Sequence, residues 1–465
     1  MQNHTNHSDN HSDDNITDLE LVKMFNAVSY PSNIIDLTNQ TITDIKMNKY
    51  LLFYSPRFTP RANLLLIHEL HLDNNRICCS FEKLFNIFEN LTFITLLSLS
   101  NNNLGDKGAK VLSTYLHLDK YELDTVTVST TKPRNHYNYL NYLEYLDISN
   151  NNIGVEGCKA IAHSLVNHTY LIELNMSDNS ICSEGANAFS KMLVSPDTTI
   201  ETLYLCNNNI NLSECKELAI SISNNKTLLF LNISHNDCVD SEEELTDLET
   251  VLMLIFSSQS ITNLYLQDTN SDDIITHYIA NGLKVNNTLT HVFLSDNEIS
   301  NEGTYLLFDA LKDNSNTVLK HLELSYNYYI DNECLGSFDE LLEGNNRLQS
   351  LDMSYTDINN QGLIELSKSK GIKSNETIIV LSFGKDDIDE DEPIENNDLT
   401  FILNRNKNLF WYPYIHKFSL FSVTMHNIII TVYLCNTYGH LTYKLPSEVL
   451  IYILTFFNRT KFINI

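Results

Sequence analysis

Apolar residues recur along this chain at a fixed spacing around a polar centre. In the clearest copy, Leu143, Leu146, Ile148 and Ile153 surround Asn151 in the order L-x-x-L-x-L-x-x-N-x-I. The same order returns at Leu171, Leu174, Met176, Asn179 and Ile181, then at Ile200, Leu203, Leu205, Asn208 and Ile210. It continues through Leu228, Leu231, Ile233 and Asn236, through Leu289, Val292, Leu294, Asn297 and Ile299, and through Leu319, Leu322, Leu324 and Asn327. Upstream copies centre on Asn75 and Asn102, and degenerate copies on Gln40, Thr269, Thr356 and Asp386. The twelve centres are 35, 27, 49, 28, 29, 28, 33, 28, 30, 29 and 30 residues apart. Repetition at such a period marks a stacked array in which each unit buries its apolar face on the next.

Each copy predicts a strand, a turn and a helix. Alternation in L-x-L puts both leucines on one side of a strand. The Asn side chain can bond turn backbone that burial would otherwise leave unpaired. Gln, Thr or Asp can substitute in part, which accounts for the degenerate copies. A period of 28–30 residues leaves room for a full helix after the turn. Helices are expected to open near Gly105, Gly154, Ser183 and Ser300. Ile161 with Leu165, and Phe189 with Leu193, have helical spacing. The longer interval after Asn236 predicts a longer helix, running into Val251 to Phe256. Gly108, Gly157, Gly185, Gly303 and Gly362 each stand six residues after a centre, and predict close packing at the helix start. Cys158, Cys215 and Cys334 stand seven after, where Ala109, Ala186 and Thr304 occur elsewhere. Core packing of a small residue explains them better than a metal site or a nucleophile.

This pattern resembles the ribonuclease-inhibitor-type leucine-rich repeat family, also found in Ran GTPase-activating proteins and NOD-like receptors. The resemblance covers roughly residues 31–390. It implies an α/β leucine-rich repeat solenoid: a horseshoe with parallel strands on the concave face and helices on the convex face. It implies a scaffold rather than a chemistry.

The expected organisation is a disordered tail over 1–15, the solenoid over 16–384 with an insertion at 117–141, an acidic linker over 385–398, and a small α-helical segment over 399–465. The insertion carries Lys132-Pro133-Arg134 and Tyr137, Tyr139 and Tyr142. It reads as a tolerated surface loop or as a contact loop for a partner.

Charge narrows the function. The 465 residues carry 30 Lys and Arg against 59 Asp and Glu, a net charge of −29. That opposes binding to phosphate backbones or to anionic membranes, so neither nucleic acid nor membrane is an expected partner. Residues 1–15 contain no apolar core of a secretory signal, and no stretch is long enough to span a bilayer. Nine cysteines without a C-x-x-C pair point to a reducing, cytoplasmic setting. Asn-x-Ser/Thr triplets such as Asn3-His4-Thr5 are taken as chance matches. His4, His7 and His11 read as a solvated tail rather than a metal site. No P-loop, G-x-G-x-x-G after a strand, H-E-x-x-H or G-x-S-x-G is present. A non-enzymatic monomer with no cofactor and no metal is expected.

The outward positions of the strand motif fall six, four, two and one residues before each centre. Over twelve copies these are 48 residues, of which ten are acidic, seven aromatic, one Lys (Lys385) and none Arg. Tyr145, Asp147, Glu173, Asp178, Tyr204, Phe230, Tyr265, Asp268, Phe293, Asp296, Glu323, Tyr326, Asp352 and Tyr355 are therefore the candidate partner-binding residues. Asp36, Glu69 and Asp73 complete the acidic set. Tyrosines supply contact area and carboxylates steer association, so a basic protein partner is expected, against the alternative of ordinary surface charge.

Near the end stands Leu445-Pro446-Ser447-Glu448-Val449-Leu450-Ile451-Tyr452-Ile453-Leu454-Thr455-Phe456-Phe457. It resembles the opening helix of an F-box, truncated as at the end of poxvirus ankyrin-repeat proteins. The resemblance implies recruitment of a cullin-type ubiquitin ligase, with Leu445, Pro446, Glu448, Val449, Ile453 and Phe457 meeting its adaptor. The same helix could simply cap the last repeat. The leading reading is thus a protein-interaction scaffold. A ligase substrate receptor is the alternative, and a Ran-type GTPase activator the third.

Overall fold

The computed structural model describes residues 34–36, 38–39, 68–78, 94–116, 140–239, 241–312 and 318–384. The tail 1–15, the linker 385–398, Lys385, the segment 399–465 and the adaptor-binding residues Leu445 to Phe457 lie outside the described residues. So does the insertion, up to residue 139.

Twelve short strands form one sheet. They are β1 (Ile34–Asp36), β2 (Glu69–His71), β3 (Leu96–Ser98), β4 (Tyr145–Asp147), β5 (Glu173–Asn175), β6 (Thr202–Tyr204), β7 (Phe230–Asn232), β8 (Asn263–Tyr265), β9 (His291–Phe293), β10 (His321–Glu323), β11 (Ser350–Ser354) and β12 (Val380–Gly384). Each pairs with its chain neighbours, in order from β1 to β12. The pairing is parallel at every step, for example Leu203 opposite Leu231 and Leu231 opposite Leu264. A parallel return needs a crossover, and helices such as Val155–Ser164, Leu245–Phe256, Asp273–Val285 and Asn301–Lys312 supply it.

The core lies between sheet and helices. Leu146, Leu174, Leu203, Leu231 and Leu264, each at a strand centre, and Leu351, second in β11, are fully buried. Ile161, Phe189, Phe256, Phe308 and Phe338 close it from the helical side. The longer helix expected after Asn236 is not found: the extra residues form a 3₁₀ turn, Glu242–Glu244, and the helix Leu245–Phe256 has 12 residues, the same as Asn301–Lys312. Residue 140 already belongs to the core, since Leu140 is fully buried.

The Asn centres form a ladder. Asn236 Oδ1 accepts from the N–H of Asn208 (2.9 Å) and Ile210 (3.0 Å) in the preceding turn. Its Nδ2 donates to Leu205 O at 3.0 Å and Ile233 O at 3.1 Å. Asn179 and Asn297 repeat the arrangement, accepting from Asn151 N and Ile153 N, and from Thr269 N and Ser271 N. At the degenerate centre Thr269, Oγ1 donates to Leu266 O at 3.1 Å.

A second ladder runs where helices return to strands. Asn225 Nδ2 donates to Leu193 O at 2.7 Å, and its Oδ1 accepts from Thr227 N and Leu228 N. Asn286, Asn345 and Asn375 do the same to Phe256 O, Leu311 O and Leu342 O. His168 takes this place in an earlier repeat. Its Nδ1 accepts from Leu171 N, so its Nε2 carries the hydrogen and donates to Leu140 O at 3.0 Å. Burial holds its pKa below the ordinary histidine value, consistent with that neutral form. Asn225, Asn286 and Asn375 begin Asn-x-Thr triplets, so these triplets are structural: the amides are buried and bonded.

Close packing at the helix start has a visible cause. A Cβ at Gly157 would lie 2.7 Å from Asp106 Oδ1 and 2.9 Å from the Ala109 Cβ. That carboxylate accepts from Gly154 N (2.7 Å) and Gly157 N (2.9 Å), so one repeat caps the helix of the next.

Cys158, Cys215 and Cys334 are buried in the core, as is Cys238. Burial pushes the Cys215 and Cys334 thiols up to about 12 and that of Cys238 up to about 11. The thiolate is the reactive form. Iodoacetamide at neutral pH should therefore leave all four unmodified in the folded protein and label them after denaturation; rapid native labelling, read by peptide mass, would contradict this packing.

Candidate partner-binding face

The solvent side of the sheet is built from rows that run across the repeats. The strands are three residues long at most repeats, so only the positions six and four before each centre are strand positions. The position two before lies just past the strand at most repeats; Ser177, Ser234, Ser295 and Ser325 there are buried, whereas Asp73, Ser149, Cys206 and Gln267 are partly exposed. This row is the least exposed of the four outward rows.

The row one before the centre has a backbone reason of its own. Asn39, Asn74, Asn101, Asn150, Asp178, Asn207, His235, Asp268, Asp296, Tyr326 and Tyr355 all have φ between 48° and 60°. Asn and Asp tolerate this left-handed conformation better than other side chains. The acidity of Asp178, Asp268 and Asp296 is thus partly a backbone requirement. Tyr326 and Tyr355 have no such excuse: bulky residues rarely adopt it. Their rings stack, with centroids 4.1 Å apart and planes at 7°.

The strand rows separate into an acidic end and an aromatic middle. At the acidic end are Asp36 and Glu69 on β1 and β2, then Tyr145, Asp147 and Glu173 on β4 and β5. Asp147 Oδ1 accepts from Ser149 N (2.9 Å) and Ser149 Oγ (2.7 Å), and Oδ2 from Asn175 Nδ2 (3.1 Å). Burial raises its pKa above the usual carboxylate range, outweighing those bonds. Glu173 is raised by burial and by Asp147 beside it. Asp352 makes the same turn, accepting from Ser354 N at 2.9 Å.

In the middle, aromatic rings join across consecutive strands. Tyr204 and Phe230 have centroids 5.0 Å apart, Phe230 and Tyr265 4.7 Å, and Tyr265 and Phe293 3.9 Å with planes at 12°. His291 extends the strip, stacked on His321 at 4.2 Å. Sequence reasoning passed over these two histidines because it counted acids, aromatics and Lys or Arg; their register marks them. Burial, His321 and Lys320 depress His291 to about 4, and burial and Lys320 lower His321. Both rings are neutral near pH 7. Glu323 follows on β10, and the exposed Asp178, Asp268 and Asp296 line the turn edge; Asp268 pairs with His235 at 2.9 Å.

Cations sit on the helices instead. Lys110 pairs with Glu156, Lys284 with Asp309 and Lys312 with Glu340, each in the next repeat. Among the described residues, the four outward rows contain no Lys and no Arg. No described helix is long and apolar enough to cross a membrane, and no group of three His, Cys, Asp or Glu is gathered as metal ligands among the described residues.

The turn at Asp147 gives a test. Its folded pKa is raised, so ionisation costs stability as pH rises through that value. Asn175 and Asn232 occupy the equivalent position and accept from Ser177 N and Ser234 N. Asp147→Asn alone would set a second amide donor against Asn175 Nδ2, so the change is read with Asn175→Ser in both chains: there it should raise stability at pH 7 and bring no gain at pH 3, where the carboxyl is mostly protonated in both states. Thermal melts at the two pH values decide it; a lower melting temperature at pH 7 would contradict this.

Repeat, parallel sheet and Asn ladder define an α/β leucine-rich-repeat solenoid. The family profile described as Leucine Rich repeat matches residues 90–113, 139–162, 167–190, 285–307 and 344–367, so the chain carries leucine-rich repeats. It is 27% identical over 167 residues to NACHT, LRR and PYD domains-containing protein 4E of Mus musculus, covering 36% of this chain and 16% of that protein. It is 25% identical over 223 residues to NACHT, LRR and PYD domains-containing protein 14 of Homo sapiens, covering 42% and 20%. The chain thus matches only a fifth or less of these relatives. An internalin structure from Listeria monocytogenes aligns with 75% of this chain and 87% of its own at 15% identity and a TM-score of 0.37.

Proposed function

We propose that this protein is a non-enzymatic scaffold that captures a basic protein partner on the strand face of its solenoid. Leucine-rich-repeat arrays act in protein–protein interaction, and their stacked strands present an extended binding surface. The observation that carries the reading is the joined strip Tyr204, Phe230, Tyr265 and Phe293, flanked by carboxylates and free of Lys and Arg in its rows. Large rigid rings give contact area at low entropic cost, and the surrounding negative potential speeds encounter with a cationic surface. Glu173→Lys with Asp296→Lys should cut partner capture about tenfold or more in affinity purification at low salt. Capture unchanged from the native chain would count against this face.

A second reading rests on the Leu445–Phe457 string, outside the described residues. It makes the protein a substrate receptor whose tail recruits a ubiquitin-ligase adaptor. The full chain should then co-purify with the adaptor, and a chain ending at Asp398 should not. No adaptor with either chain would sink it. The Ran-type reading rests on repeat type and acidity alone, and a Ran GTP-hydrolysis assay without acceleration removes it.

A further inference from the structure

The aromatic strip also constrains the shape of what lies on it. It runs across the strands, from Tyr204 on β6 through Phe230, Tyr265 and Phe293 to the His291–His321 pair that ends on β10. Four strand-to-strand steps of about 4.8 Å make a strip of about 19 Å. That is the length of about thirteen helical residues at about 1.5 Å each. An extended peptide gains affinity by pairing its backbone with a free sheet edge. Here β6 to β10 are each paired on both sides, so the strip offers side chains and no backbone partners. A helix satisfies its own backbone and can lie on such a strip.

Charge sets its orientation. Asp268 and Asp296 are exposed at the turn edge of the strip. Lys320 stands at the opposite edge, one residue before β10, where it acts on both histidines. One long side of the strip is therefore negative, and the other is balanced, with exposed Glu201 before β6 at one end and Lys320 before β10 at the other.

We propose that the strip is the seat of an amphipathic helix of the partner, with its apolar stripe on Tyr204, Phe230, Tyr265 and Phe293 and its Lys or Arg flank toward Asp268 and Asp296. This rests on the strand-face reading above and names the partner element it selects.

The test uses the full chain and two labelled synthetic 14-residue helical peptides, read by fluorescence anisotropy at low salt. Both carry Leu at i, i+3, i+4, i+7 and i+11; one has Lys along a single flank of that stripe and the other Glu. The Lys peptide should bind at least tenfold tighter. Asp268→Asn with Asp296→Asn should erase that preference; Asn is the commonest residue in this left-handed row, so the fold is kept. Phe230→Ala with Tyr265→Ala should abolish binding of both peptides. Equal binding of the two peptides, or a preference that survives the Asn pair, would overturn the proposal. A photo-reactive residue at position 265 separates the two readings. If it crosslinks a cellular protein while neither peptide binds, the helical partner is wrong and the strand-face reading stands.

Discussion

Asn236→Ala should cost the array about 3 kcal/mol, because it removes acceptor and donor from the middle of the ladder at once. The Asn208 and Ile210 N–H groups lose their acceptor, and Leu205 O and Ile233 O lose a donor. Asn208 and Ile210 are buried, so water reaches these groups poorly. An unpaired buried polar group costs about 1–3 kcal/mol, and partial relaxation offsets some of the sum. Asn236→Thr should lose less, since Thr269 shows a hydroxyl serving the carbonyl of its own turn. In a solenoid each repeat is stabilised by its neighbours, so a broken rung also weakens their coupling. Urea unfolding followed by circular dichroism should show a lower midpoint for Ala, an intermediate one for Thr, and a broadened transition for Ala. A native midpoint for Asn236→Ala would contradict the ladder.

Phe230→Ala combined with Tyr265→Ala should weaken partner capture by about 100-fold while leaving the array folded. Phe230 bridges Tyr204 and Tyr265, and Tyr265 lies flat against Phe293, so the pair removes the centre of the strip. All four rings are only partly buried, whereas the strand leucines beneath them are fully buried, so the core survives the change. Tyr305→Ala, on the helix Asn301–Lys312, removes an exposed ring from the other side and should change nothing. Equal loss from the helix-side variant would mean that exposed aromatics, not this face, carry binding.

Strand, turn and helix were legible from the chain because each is local. Two leucines around one residue specify a strand face, and an Asn three positions later specifies the turn. The Asn-x-Thr ladder was legible in principle, since Asn225, Asn286 and Asn375 each stand three residues before a repeat's first apolar position. It was missed because the same triplet is also a glycosylation pattern. The face was only partly legible. Row membership follows from register, but ring contact depends on pairing partners about thirty residues apart and on the offset between Phe230 and Tyr204 along their strands. The charge of −29 also divides in a way that composition hides. Some carboxylates, such as Asp106, cap helices; Asp147 and Asp352 hold turns; Asp268 and Asp296 occupy left-handed backbone and remain exposed.

The most direct measurement is site-specific photo-crosslinking in the intact chain. A benzoylphenylalanine at position 265 samples the strip, and one at position 305 samples the helix side. Adducts to a protein partner from position 265, with none from position 305, are the expected result. Adducts from position 305 alone would place the binding surface on the helices and contradict the account.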